Sequence, residues 1–186
     1  MTADDILDGL EQREGLHRPQ VTRPDGTIDP ETMRGITWPT YRTYCAIKMI
    51  AADHAAFLAL TSAQARAIYV ELFIEGPGFT AANIPFEPLR VQLIDFGVNS
   101  GPERAIRWLQ RVLRMKPEEC DGQLGPRTLS VLRWRAPDPT AFAILNDALV
   151  AARSYMIDRA VDTGSMRKAD EEGVESRALS FFLATP

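Results

Sequence analysis

The sequence predicts a mainly α protein with one small β-hairpin or irregular loop near residues 19–37. Three observations carry that reading. Apolar residues recur at helical spacing through most of the chain, and Ser or Thr followed three residues later by Glu or Gln marks helix starts. One stretch, His17 to Thr37, is instead rich in Pro, Gly, Asp and Thr.

The first predicted helix runs from Asp4 to Glu14, with Ile6, Leu7 and Leu10 on one stripe and Glu14 in the middle of it. A carboxyl on an apolar stripe is partly desolvated, which disfavours its charged form. Gly15 follows at once and places Glu14 in the last turn, where the negative end of the helix dipole acts in the same direction. Both effects make a proton donor. The plainer alternative is a glutamate flanking a helix end at the surface.

In the next stretch Gly26 and Gly35 permit turn geometries, whereas Pro19, Pro24 and Pro30 stop helices. Thr37-Trp38-Pro39 reads as a cap and first turn leading into a helix from Tyr41 to about Ala52. Thr61 and Gln64 form a capping box for a helix reaching Ile74, and Glu75-Gly76-Pro77-Gly78 breaks it. Pro88 to Val98 gives a further element. Ser100 and Glu103 spell a second capping box, for a helix to Met115 with Ala105, Ile106, Leu109, Val112 and Leu113 on one side. Arg104, Arg107, Arg111 and Arg114 fall opposite, as a solvated face or one that meets an anionic polymer. Asp121 to Pro126 is a tight turn into a helix ending near Arg135. Pro137-Asp138-Pro139 opens a long helix over roughly 140–161, and a polar linker around Gly164 to Gly173 precedes a last amphipathic segment. These elements divide into lobes at 1–85 and 86–186, packed as one compact unit.

A chain of 186 residues, 45% hydrophobic and 25% charged, has the composition of an ordinary globular protein. The net charge of -4 argues against a general nucleic-acid binder, although 18 of its 21 cationic residues are arginine. No apolar run reaches the roughly 18–20 residues of a membrane span. Asp4, Asp5 and Asp8 stand where a secretory signal would be basic, so no signal peptide is expected. Cys45 and Cys120 read as reduced, small buried side chains. The two histidines and two cysteines lack zinc-site spacing, and phosphate-loop and nucleophile-elbow motifs are absent, so neither a metal nor a cofactor is expected.

Two segments carry a family resemblance. Glu14-Gly15-Leu16-His17, then Asp29-Pro30, then Thr32-Met33-Arg34-Gly35-Ile36-Thr37 are similar to the Glu-Gly-Gly-Tyr, Asp-Pro-Gly-Gly and Thr-x-x-Gly-Ile-Thr motifs of bacterial and phage N-acetylmuramidases, a lysozyme-like group. Asp95 to Gly101, Ala105, Leu109-Gln110 and Asp121 to Leu129 resemble that group's Asp, Asn-x-Gly, Leu-Gln and Asp-Gly-x-x-Gly-Pro-x-Thr-Leu pattern, in order and spacing. The resemblance covers about Ile6 to Arg177. Leu16, His17 and Val174 depart from it, standing for a Gly, a Tyr and a closing Trp.

The resemblance implies a two-lobed lysozyme-like fold whose C-terminal half binds peptidoglycan. It also implies a hydrolase that cuts the β-1,4 bond of the glycan strand, with a general acid to protonate the leaving oxygen and a second group to assist water. Glu14 is the implied acid. Asp29 would orient water or steady positive charge, with Asp25 as a rival and a turn-forming Asx side chain as the plain alternative for both. Thr32 would position the water or stand as an ordinary hairpin threonine. His17, Gly35 and Thr37 fall at the implied substrate side, and Asn99 would face the first lobe across a cleft or merely end a helix. Peptidoglycan is the implied partner, with release from the cytoplasm by a holin or carriage in a virion as the setting. A non-catalytic scaffold on the same fold is the rival reading, and a nucleic-acid module on the arginine face a more distant one.

Overall fold

The computed structural model describes residues 16–24, 26–164, 166 and 168–183. The predicted first helix with Glu14, and Asp25, lie outside the described residues. The chain divides into two compact units, 1–76 and 77–186.

In the first unit the Pro- and Gly-rich stretch becomes two small antiparallel sheets. Strand β2 (Val21–Thr22) pairs with β3 (Ile28–Asp29), while β1 (His17–Arg18), β4 (Thr32–Met33) and β5 (Ile36–Thr37) form a three-stranded sheet with β4 in the centre. Thr32 stands opposite both Arg18 and Thr37, and Met33 opposite both His17 and Ile36. The β4–β5 link is therefore two residues long. Arg34 and Gly35 have φ of 49° and 79°, the left-handed pair that a type I′ hairpin needs, and this requirement accounts for the glycine. The turn is pinned by its surroundings. The Arg34 Nε donates to the Leu60 carbonyl at 2.8 Å, and the Tyr69 hydroxyl donates to the Gly35 carbonyl at 2.6 Å.

Helix α1 (Trp38–Ile47) starts where expected, its cap Thr37 accepting from the Thr40 N–H at 3.2 Å. It ends about five residues earlier than the sequence suggests. Met49 adopts φ of 55°, and the Ile50 N–H closes back on the Cys45 carbonyl at 2.9 Å, a helix stop made without glycine. A separate short helix, α2 (His54–Leu58), follows and is capped by Asp53, which accepts from the Ala55 N–H. Both halves of the Thr61–Gln64 capping box form at the head of α3 (Ser62–Tyr69). Beyond Tyr69 the chain widens into a π-type turn, Val70–Glu75, closed by the Gly76 N–H on the Glu71 carbonyl.

The second unit is helical. Helix α4 (Glu87–Ser100) buries Leu89, Val91, Leu93, Ile94, Asp95 and Phe96 on almost every side, so it is the unit's centre. Helices α5 (Pro102–Val112) and α7 (Pro139–Asp162) pack on it, and α8 (Lys168–Leu179) packs on α7; α6 (Pro126–Arg135) lies between α5 and α7 in the chain. The expected Ser100–Glu103 box does not form. Ser100 is the last residue of α4, Gly101 with φ of 88° makes the corner, and Glu103 pairs with Arg107 at 2.7 Å instead. Cys45 and Cys120 are buried free thiols.

Two buried polar groups organise this unit. Asp95, fully inaccessible, accepts from Arg153 Nη2 at 2.8 Å and from Arg177, tying α4 to α7 and α8. The Arg153 guanidinium lies between the Phe96 and Phe181 rings at 4.8 and 5.6 Å. Burial pushes Arg153 below its usual range, against the pull of Asp95.

Gln110 is the second organiser. Its Nε2 donates to Asp121 Oδ1 at 2.7 Å and Thr128 Oγ1 at 3.0 Å, and its Oε1 accepts from the Gly122 N–H at 3.0 Å. The Leu-Gln and Asp-Gly-x-x-Gly-Pro-x-Thr motifs thus meet in one network that fastens the loop 120–125 to α5. Gln110 and the Gln123 N–H also hold the Asp121 carboxyl below the usual carboxylate range. Gly122 has φ of 79°, and a Cβ there would fall 3.0 Å from the Glu103 carbonyl oxygen, so no other residue fits. Replacing Gln110 with leucine strands these polar partners, and urea denaturation is expected to show a loss of about 2–4 kcal/mol.

Candidate active site

The small sheets present a polar cluster that no periodic pattern announces. Glu31, between β3 and β4, accepts from both histidines of the chain: His17 Nε2 at 2.9 Å on Oε1, and His54 Nε2 at 2.7 Å on Oε2. The clamp joins β1, β4 and α2. Its backbone takes part as well, since the Glu31 carbonyl accepts from the Trp38 N–H at 2.8 Å. The indole of Trp38 meets His54 edge-on with centroids 5.1 Å apart and packs against Tyr41 and Phe57. Thus His54, Trp38 and Phe57 form an aromatic wall behind a carboxylate, with His54 half-exposed at its rim.

The bonds from His54 and then from His17 hold the Glu31 carboxyl below its ordinary value of 4.5. A depressed folded-state pKa stabilises the fold above the ordinary value, and the contribution is lost as pH falls through the lower one. The melting temperature of Glu31→Gln is accordingly expected to lie below that of wild type at neutral pH. The gap should close as pH falls through the lowered value of Glu31, below about 4.5, read by circular dichroism across a pH series.

The residues singled out in the sequence fall as follows. Asp29 is half-buried on β3, its Oδ2 accepting from Arg23 Nε at 2.7 Å. Thr32 is buried at the centre of the three-stranded sheet, and its hydroxyl donates to the Pro30 carbonyl at 3.2 Å. Gly35 is the hairpin turn and Thr37 the helix cap. His17 sits exposed on β1 against Glu31. Asn99 belongs to the second unit, where its Nδ2 donates to the Asp95 carbonyl at 2.7 Å. The first unit therefore gathers His17, Asp29, Thr32, Gly35 and Thr37 into one sheet region within 21 residues of sequence. Sequence reasoning missed Glu31 and His54. The only available signal was a glutamate beside the Asp29-Pro30 pair, with two histidines in the same half of the chain. Among the described residues no group of His, Cys, Asp or Glu is arranged to hold a metal ion, and no helix is long and apolar enough to cross a membrane.

Comparison with known proteins decides what such a region belongs to. Residues 11–101 match the family described as glycosyl hydrolase 108, and residues 104–173 match a predicted peptidoglycan domain. The chain carries a glycosyl hydrolase 108 domain over residues 11–101. The first match begins ahead of Glu14 and runs through the Thr-x-x-Gly-Ile-Thr segment, and the second starts on α5. Among solved structures, the hydrolase is similar to SagA of Brucella abortus, at 25% identity over 98% of this chain and 97% of that one, with a TM-score of 0.65. No curated protein matches the chain. The hydrolase is thus a lysozyme-like, mainly α glycoside hydrolase whose substrate is peptidoglycan.

Proposed function

We propose that the hydrolase is an N-acetylmuramidase, cutting the β-1,4 bond that follows N-acetylmuramic acid, with Glu14 as the general acid. The observation that carries this reading is the glycosyl hydrolase 108 match over a segment whose sequence places Glu14 among Ile6, Leu7 and Leu10 at helical spacing, just before the small sheets. Cleavage of a glycosidic bond needs one carboxyl that holds a proton and one that does not. The apolar neighbours read from the sequence suit Glu14 to the first role, and Asp29, paired with Arg23, is assigned the second. Thr32 positions the attacking water in this proposal. His17, Gly35 and Thr37 border the sugar, and Asn99 on the second unit is a further contact for the strand. Asp25 remains a rival to Asp29 for the second carboxylate. The working context in this reading is lytic, with the enzyme carried in a virion or freed from the cytoplasm through a holin.

Product analysis on purified sacculi tests the proposal. Reducing muramic acid ends that are absent with Glu14→Gln support it. Reducing glucosamine ends, anhydro-muramic ends, or cleavage undiminished in Glu14→Gln would each overturn it.

A further inference from the structure

Helix α5 presents a second polar site that the proposed hydrolysis does not use. Ser100, Glu103, Arg104, Arg107, Trp108 and Arg111 line an open pocket of about 480 Å³. The spacing 104, 107 and 108, 111 sets these side chains on one face, one turn apart. Their roles differ. Arg107 is committed, since it pairs with Glu103 at 2.7 Å and donates to the Cys120 carbonyl, so Glu103 is neutralised and the loop 120–125 is held. Arg111 is exposed, with its guanidinium carbon 4.8 Å from the centroid of the half-buried Trp108 ring. Arg104 is exposed one turn before Trp108. The pocket therefore offers two guanidinium forks beside an aromatic plate, on a chain whose net charge is -4.

We propose that this pocket binds the free carboxylates of peptidoglycan stem peptides, with Trp108 covering the adjoining alanyl methyls. The inference rests on peptidoglycan being the substrate, and it assigns the second unit a ligand distinct from the glycan cut in the first. A planar fork suits a carboxylate in bidentate geometry. Two forks separated by one plate suit short peptide arms better than a continuous polyanion, which needs a longer basic track and repeated stacking platforms. The predicted peptidoglycan domain match starts at residue 104, at the pocket itself.

Binding of the full chain, in the cold and at low salt, is compared between pelleted intact sacculi and glycan strands stripped of their peptides by an amidase and immobilised on beads. Intact sacculi are expected to bind at least about tenfold more tightly, the scale of one charge-assisted hydrogen bond. Arg104→Gln with Arg111→Gln should remove that difference while the near-ultraviolet circular dichroism is unchanged. Arg104→Lys with Arg111→Lys should recover binding in part, since it restores charge without the fork. Equal affinity for stripped strands, or wild-type binding by the glutamine pair, overturns the proposal. So does retention on DNA that is lost in the glutamine pair while sacculus binding survives. Cleavage of intact sacculi by the wild type is scored separately: its absence sinks the muramidase reading and leaves the binding comparison legible.

Discussion

Substitution of Asp95 by asparagine is expected to destabilise the second unit by about 3–5 kcal/mol, more than any other single change on that unit. The side chain is fully buried and serves two arginines, one of them, Arg153, only 3% exposed. Asparagine keeps the shape and one acceptor but removes the charge, so Arg153 is left buried against Phe96 and Phe181 with nothing to offset its desolvation. The depressed pKa of Arg153 shows that burial already outweighs the attraction of Asp95. One of its nitrogens, Nη1, has no hydrogen-bond partner among the described residues. A second variant separates the pair from its parts. Arg153→Met removes the buried cation while Asp95 keeps Arg177, so the double variant Asp95→Asn with Arg153→Met should be more stable than Asp95→Asn alone. Chemical denaturation of the four proteins gives the cycle. A double variant no more stable than Asp95→Asn would mean that the charge on Arg153 is not what makes the single change costly.

Glutamine at position 14 is expected to lower the rate of sacculus solubilisation by about 10²–10⁴, the usual contribution of a positioned acid. A loss of a thousandfold corresponds to about 4 kcal/mol of transition-state stabilisation. Glutamine is nearly isosteric with glutamate and cannot transfer a proton, so the thermal midpoint should not fall. Turbidity of a sacculus suspension with a parallel melting curve measures both. A large fall in the midpoint would recast Glu14 as a structural residue. Asn at position 29 should reduce turnover too, through loss of the anion that Arg23 accompanies.

Much of this architecture was legible before any coordinates, wherever the determining interaction is local. The Thr61–Gln64 box and the Thr37 cap link atoms three residues apart, and both stand as read. Gly35 announced a turn, and the turn needs its positive φ. Local grammar also misled. Ser100 and Glu103 have the right spacing for a box, but Gly101-Pro102 makes the corner and Arg107 takes the carboxylate. Helix α1 stops at a left-handed Met49, a residue that gives no such signal, and Asp53 then starts α2 in the stretch that reads as the connection between two helices. The long-range partners were illegible for a different reason. Glu31 meets His17 and His54 across 14 and 23 residues, and Asp95 meets Arg153 across 58. No periodicity encodes such pairings, which tertiary packing alone creates. The motif around Asp95 was visible as a pattern, but its meaning as a buried clamp was not.

The reach of that clamp has a consequence for biosynthesis. Hydrogen bonds quoted above for the first unit close loops of at most 34 residues, from Gly35 to Tyr69, whereas Arg177 must return to Asp95 over 82. A nascent chain emerges from its N-terminal side, and long closures come last. The first unit can accordingly take shape on the ribosome while the second still waits for its final helix.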